Sequence, residues 1–100
     1  MSILVKTAEK QLQNAIISAI KKAIEKGQLP EAELLPIKTE IPADRKNGDY
    51  STNAAMAHAR AFRLPPVKIA EAITENLDLK GTYFEKCEIA GAGFMNFTLS

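Results

Sequence analysis

The last eight residues, Gly93-Phe94-Met95-Asn96-Phe97-Thr98-Leu99-Ser100, constrain the fold more than any other stretch. In a β-strand successive side chains leave opposite faces of the sheet, so Met95, Phe97 and Leu99 share one side and Phe94, Asn96 and Thr98 the other. The first set is apolar and reads as core. The second sets a large aromatic ring two residues from a carboxamide. On an open face the ring can stack on a flat group while the amide reads its edge, a pairing that suits a nucleobase. A Phe94 covered by a helix or loop, with Asn96 capping a neighbouring turn, meets the same pattern. Periodicity does not separate the two.

From Ile3 to Lys26, apolar residues recur at Leu4, Ala8, Leu12, Ile16, Ile20 and Ile24, an i, i+4 ladder that predicts a long amphipathic helix. Lys21, Lys22 and Lys26 fall in its last turns, and Gly27 follows as its cap with Pro30 beyond. Ile37, Thr39 and Ile41 then alternate with Lys38 and Glu40 between Pro36 and Pro42, which predicts a short strand near a sheet edge. The segment Ala43 to Tyr50 is the most polar of the chain and turns at Asn47-Gly48.

Ser51 or Thr52 can cap a helix running to Arg60 or Phe62, built on alanines, with Met56, Ala59 and Phe62 supplying much of its buried face. Leu64-Pro65-Pro66 breaks it and opens another helix, whose core stripe is Ile69, Ala70, Ile73 and Leu77. Tyr83 to Ala90 and Phe94 to Ser100, joined by Gly91-Ala92-Gly93, form a β-hairpin. The predicted fold is α+β: three main helices packed on one face of a small, mainly antiparallel sheet that ends in a C-terminal hairpin.

At 100 residues the chain is one domain, residues 1–100, and its 46% hydrophobic and 25% charged residues are those of a folded globular protein. No apolar run approaches the roughly 20 residues of a membrane span, and the N-terminus is charged too early for a signal peptide, so a cytoplasmic protein is expected. One cysteine, Cys87, and one histidine, His58, exclude a disulfide within the chain and the usual zinc sets. Cys87 shares a strand face with Ile89 and reads as a buried, inert thiol, and His58 as a hydrogen-bonded or solvated helix residue.

No nucleophile with a base, no paired carboxylates in a pocket and no phosphate-cradling glycine loop can be found, so no residue is assigned as catalytic, metal-binding or cofactor-binding. Binding remains. From Arg45 to Lys68 five basic residues (Arg45, Lys46, Arg60, Arg63, Lys68) face one acid, Asp49, a local +4 against a total of +1, which leaves −3 elsewhere. That favours a polyanionic partner. The available polar surfaces are Arg45, Lys46 and Asn47 on the loop, Thr52-Asn53 at the helix start, and the Phe94/Asn96 face.

Three motifs, Gly48-Asp49-Tyr50-Ser51-Thr52-Asn53-Ala54-Ala55, then Pro66 with Ile69-Ala70-Glu71-Ala72-Ile73, then Ala90 to Ser100, resemble the N-terminal domain of arginyl-tRNA synthetases over essentially the whole chain. The resemblance implies an additional domain that lies against the outer corner of arginine tRNA and contacts its D-loop. Phe94 then carries over as the ring stacked on an unpaired D-loop base and Asn96 as the amide reading its edge. Gly91 lies where some relatives offer a side chain to the same nucleotide, and glycine offers only backbone there. Gly48, the Ser51 or Thr52 cap and Asn53 are expected to be mainly structural.

The ATP-binding signatures of class I synthetases are not among these residues. The resemblance therefore implies that ATP and catalysis belong to a catalytic domain that, like the anticodon-binding domain, lies outside this chain, and that these residues alone are inactive. Its partners would be arginine tRNA and that catalytic domain, with no membrane and no metal. A different reading is an assembly module whose open sheet face docks on the catalytic domain or another protein, without reading bases.

Overall fold

The computed structural model describes residues 3–42 and 48–99, with side chains from residue 7 onward. Among them α1 spans Ile3–Glu25, and its stripe of Ala8, Leu12, Ile16, Ala19, Ile20 and Ala23 is buried throughout. Its end is a left-handed glycine cap. Gly27 sits at φ 78°, its N–H donates to the Ile24 carbonyl at 3.0 Å, and the Gln28 N–H reaches the Ala23 carbonyl at 2.8 Å. Two carbonyls that the helix leaves open are satisfied in this way.

The chain then crosses the surface with Leu29 and Ile37 as buried anchors and enters β1, Thr39–Glu40. The strand expected from Ile37 to Ile41 shrinks to two residues, because Pro36 and Pro42 offer no N–H and its partner strand is itself short. Ile41, expected to alternate inward, is 62% exposed.

β2, Tyr50–Thr52, is a strand where the sequence indicated only a loop end and a helix cap. All three residues are buried. Thr52 serves twice: its hydroxyl donates to the Lys38 carbonyl at 2.6 Å and accepts the Ala54 N–H at 3.2 Å. Standing one residue before the N-cap, Asn53, it satisfies the first free N–H of the next helix and ties β2 to the segment leading into β1.

The helix expected from there to Arg60 or Phe62 is two short ones, α2 (Ala54–Ala57) and α3 (Ala59–Phe62), interrupted at His58 (φ −95°, ψ 0°). The His58 ring hydrogen-bonds the Ala54 carbonyl at 2.8 Å, the same carbonyl its own N–H reaches at 3.1 Å, and such side-chain competition loosens a helix. Ala54, Ala55, His58 and Phe62 are the buried residues, whereas Met56 and Ala59 are only half-buried.

α4, Pro66–Asn76, opens on a proline in its first turn, as predicted, and buries Ile69, Ala70, Ala72 and Ile73 against α1, α2 and the sheet. β3 (Phe84–Ala90) and β4 (Phe94–Leu99) form the closing hairpin. The four strands pair antiparallel in the order β1-β2-β4-β3, so the last strand of the chain is central.

The helices cover one face of this sheet. There Tyr50, Phe84 and Phe97 meet edge to face, with centroids 5.6 and 6.0 Å apart, a preferred aromatic arrangement that adds to the burial of each ring. Leu99, expected in the core beside Met95 and Phe97, is 37% exposed because it lies at the end of the strand.

Candidate nucleic-acid interface

β4 is hydrogen-bonded on both sides, to β2 and to β3, so side chains on it are held more firmly than those on a loop. Met95 and Phe97 are fully buried beneath it. On the opposite face Phe94 is 40% exposed, and Asn96 and Thr98 are half-buried. Of the two arrangements that alternation allowed for Phe94, the structure has the open one.

The register defines what surrounds the ring and the amide. Asn96 stands between Ser51 of β2 and Glu88 of β3, with Glu40 of β1 beyond Ser51. Directly opposed side chains in such a pair have their Cβ atoms about 4.5–5.5 Å apart. Phe94 is paired with Ala90, and a Cβ placed on Gly91 would lie 3.9 Å from its Cδ2. The ring therefore has small neighbours across the strand and along the turn. Lys86, opposite Thr98, pairs with Glu88 at 3.1 Å in an exposed contact that contributes little to stability. Glu88 and Lys86 were not singled out in the sequence, and Ser51 only as a candidate helix cap, because cross-strand neighbours become visible only with the register.

This platform is braced by the Gly48-to-Asn53 segment. Gly48 has φ 88° and a Cβ there would meet the Phe97 carbonyl oxygen at 2.8 Å, so the backbones touch where only glycine fits. The Asp49 N–H donates to the Phe97 carbonyl at 2.8 Å, and the Asp49 carboxylate accepts the Leu99 N–H at 2.9 Å. Asn53 follows directly on β2, beyond the Thr52–Met95 pair, and is exposed at the Phe94 end of the platform. It is the N-cap residue of α2, but its side chain makes no capping hydrogen bond, and the Ala54 N–H goes to the Thr52 hydroxyl instead. Phe94, Asn96, Gly91 and Asn53 are thus brought to one end of one face, while Arg45, Lys46 and Asn47 lie outside the described residues.

His58 is fully buried and clamped. Its Nε2 accepts the Leu35 N–H at 2.9 Å, its Nδ1 bonds the Ala54 carbonyl, and its ring stacks on Phe62 at 5.6 Å. With both nitrogens engaged in packing, it holds the α1–β1 connection against α2. Cys87 faces the helices, and burial pushes its thiol up to about 11 against a hydrogen bond with Thr74 that pulls it down. Such a thiol is a poor nucleophile near neutral pH. Among the described residues no three His, Cys, Asp or Glu side chains come together as a metal site, and no helix is long and apolar enough to cross a membrane.

What the fold and this face define is a small antiparallel-sheet module with helices on one side and an aromatic–amide platform on the other. The arginyl tRNA synthetase N terminal domain family matches residues 10–99. An arginine--tRNA ligase of Ruminiclostridium cellulolyticum is 45% identical over 89 residues, which are 89% of this chain and 16% of that protein. One of Desulforamulus reducens is 44% identical over 99 residues, or 99% of this chain and 18% of that protein.

Among solved structures, the arginyl-tRNA synthetase of Plasmodium falciparum superposes with a TM-score of 0.72 at 22% identity, covering 94% of this chain and 16% of that one, a likeness of fold. The arginyl-tRNA synthetase of Thermus thermophilus gives 0.60 at 28% identity, covering 89% and 14%. The chain belongs to the arginyl-tRNA synthetase N-terminal domain family, as its three motifs indicated. It spans 16% to 18% of the length of these curated relatives.

Proposed function

We propose that this chain is the tRNA-contacting N-terminal part of a cytoplasmic arginine–tRNA ligase, and that its open sheet face meets the D-loop at the outer corner of arginine tRNA. Phe94 stacks on an unpaired base and Asn96 reads that base's edge, with Gly91 and Asn53 at the margin of the same site. ATP-dependent joining of arginine to the tRNA belongs to the catalytic domain of the longer protein. Among the described residues, the glycine turn 91–93 runs into β4 rather than into a helix whose N-terminus could hold phosphate.

One observation carries the reading. A large aromatic is left 40% exposed on the outward face of the central strand, beside a carboxamide and among small neighbours. In the assembly-module reading the same face docks on protein, and any tRNA binding is then salt-sensitive and indifferent to D-loop sequence. Substituting Phe94→Ala separates the two readings. If a base stacks there, affinity for arginine tRNA falls by about 1–3 kcal/mol, roughly 5- to 150-fold. Unchanged affinity removes Phe94 from the interface.

A further inference from the structure

Beyond the platform, the chain from Tyr50 to Ala70 contains no Asp or Glu, and its three cations, Arg60, Arg63 and Lys68, are all exposed. They flank the corner between α3 and α4. That corner is joined to the Phe94 end of the sheet, because Gly93 packs its backbone on Pro66: a Cβ on Gly93 would approach the Pro66 Cβ to 2.7 Å. Gly93 immediately precedes Phe94. Arg63 and Lys68 are three residues before and two after Pro66, on the stretch that this contact ties to the start of the strand carrying the ring.

Two of the three cations stand where local backbone preferences oppose them. Arg63 caps α3 at φ 55°, ψ 42°, the one non-glycine residue with positive φ among the described residues, at a position glycine fills without strain. Lys68 is in the first turn of α4, where the helix dipole disfavours a cation. Among the described residues none of the three makes an ion pair. Arg60, at the end of α3, is explained by the dipole alone, whereas Arg63 and Lys68 are not. Departures of this kind from local preference mark positions retained for something other than folding.

We infer that Arg60, Arg63 and Lys68 form a phosphate-holding ridge for the same RNA, taking the backbone that flanks the base stacked on Phe94. The inference rests on the reading of Phe94 as a base platform. The ridge supplies sequence-independent attraction and positions the strand, while Phe94 and Asn96 supply the base contact. Cations that neutralise phosphates release counterions, so the ridge has a signature that stacking lacks, a contribution to the salt dependence of binding.

The test measures binding of an arginine tRNA transcript across a salt series. It compares the unaltered chain, a variant carrying Arg60→Gln, Arg63→Asn and Lys68→Gln, and Phe94→Ala. Asparagine is chosen at position 63 because it tolerates the left-handed conformation, and thermal unfolding checks that each variant is folded.

The ridge predicts that the triple variant loses about two to three units from the slope of log affinity against log salt, at roughly 0.7–0.9 per phosphate contact. Its deficit shrinks as salt rises, and Phe94→Ala weakens binding without changing the slope. A triple variant with the unaltered slope overturns the ridge even where Phe94→Ala weakens binding. Failure of the stacking reading shows separately, as wild-type affinity in Phe94→Ala.

Discussion

The carboxylate of Asp49 accepts the Leu99 N–H at 2.9 Å while its own N–H donates to the Phe97 carbonyl at 2.8 Å, so one residue grips the central strand at two points. Neither bond touches the outward face, yet both fix the strand that carries Phe94 and Asn96. Replacing Asp49→Ala removes a charge-assisted bond from a partly exposed site and is expected to lower stability by about 1–2 kcal/mol. Urea unfolding measures it. An unchanged midpoint means that Asp49 does not brace the strand.

Two glycines with similar φ make a sharper comparison. Gly27 (φ 78°) has open space where a Cβ would go, so Gly27→Ala is expected to cost only the left-handed penalty, about 1–2 kcal/mol. At Gly48 (φ 88°) the same methyl meets the Phe97 carbonyl oxygen at 2.8 Å, and one backbone must move. Thermal melts should show Gly48→Ala clearly the more damaging. Equal losses would mean that the close approach of Gly48 to β4 does not matter.

His58 is expected to behave as a packing residue with two polar duties. Phenylalanine at this position keeps the ring but leaves the partly buried Leu35 N–H without its acceptor and removes the contact to the Ala54 carbonyl. The loss should be about 1–3 kcal/mol, with faster amide exchange at Leu35. Exchange at Leu35 as slow as in the unaltered chain would show that the ring does not hold that segment.

Cys87 gives stability a dependence on alkaline pH. Its folded-state value is raised from 9.0 to about 11 by burial, so the folded chain keeps the thiol proton after the unfolded chain has lost it. The stabilisation is complete below about pH 9 and is lost as pH rises towards 11. Stability of the unaltered chain relative to Cys87→Ala should fall across that window, and a constant difference would contradict it.

At Arg63 stability and binding should part. Arg63→Gly relieves a left-handed arginine and is expected to stabilise the fold by about 1 kcal/mol. It should also weaken the tRNA complex, the trade expected of a residue kept for its charge. A stabilised variant that binds tRNA as before would leave Arg63 without a role in binding.

What could be read directly from the residues was whatever repeats with a period. The Leu12, Ile16, Ile20 ladder, the Gly27 cap, Pro66 opening α4 and the alternation of β4 are each local patterns, and each matches the structure. β2 escaped because Tyr50-Ser51-Thr52 is too short to show a period, and it is a strand through its pairing with β4 on one side and β1 on the other. The break at His58 depends on a ring reaching back to Ala54, and the exposure of Leu99 on where the helix layer ends. Phe94 and Asn96 were legible as a pair on one face. Glu88 and Ser51 beside Asn96 required the register, and Arg63, counted in the sequence among the basic residues from Arg45 to Lys68, is set apart from them by its φ.

The most direct test of the central claim, that the outward face of β4 reads a base, is an amide-resolved NMR titration of this chain with arginine tRNA, repeated with a tRNA altered only in its D-loop. The account predicts shifts centred on Phe94, Asn96, Gly91 and Asn53 that fade with the altered tRNA. Equal shifts with both, spread over the lysines and leaving Phe94 unmoved, would contradict it.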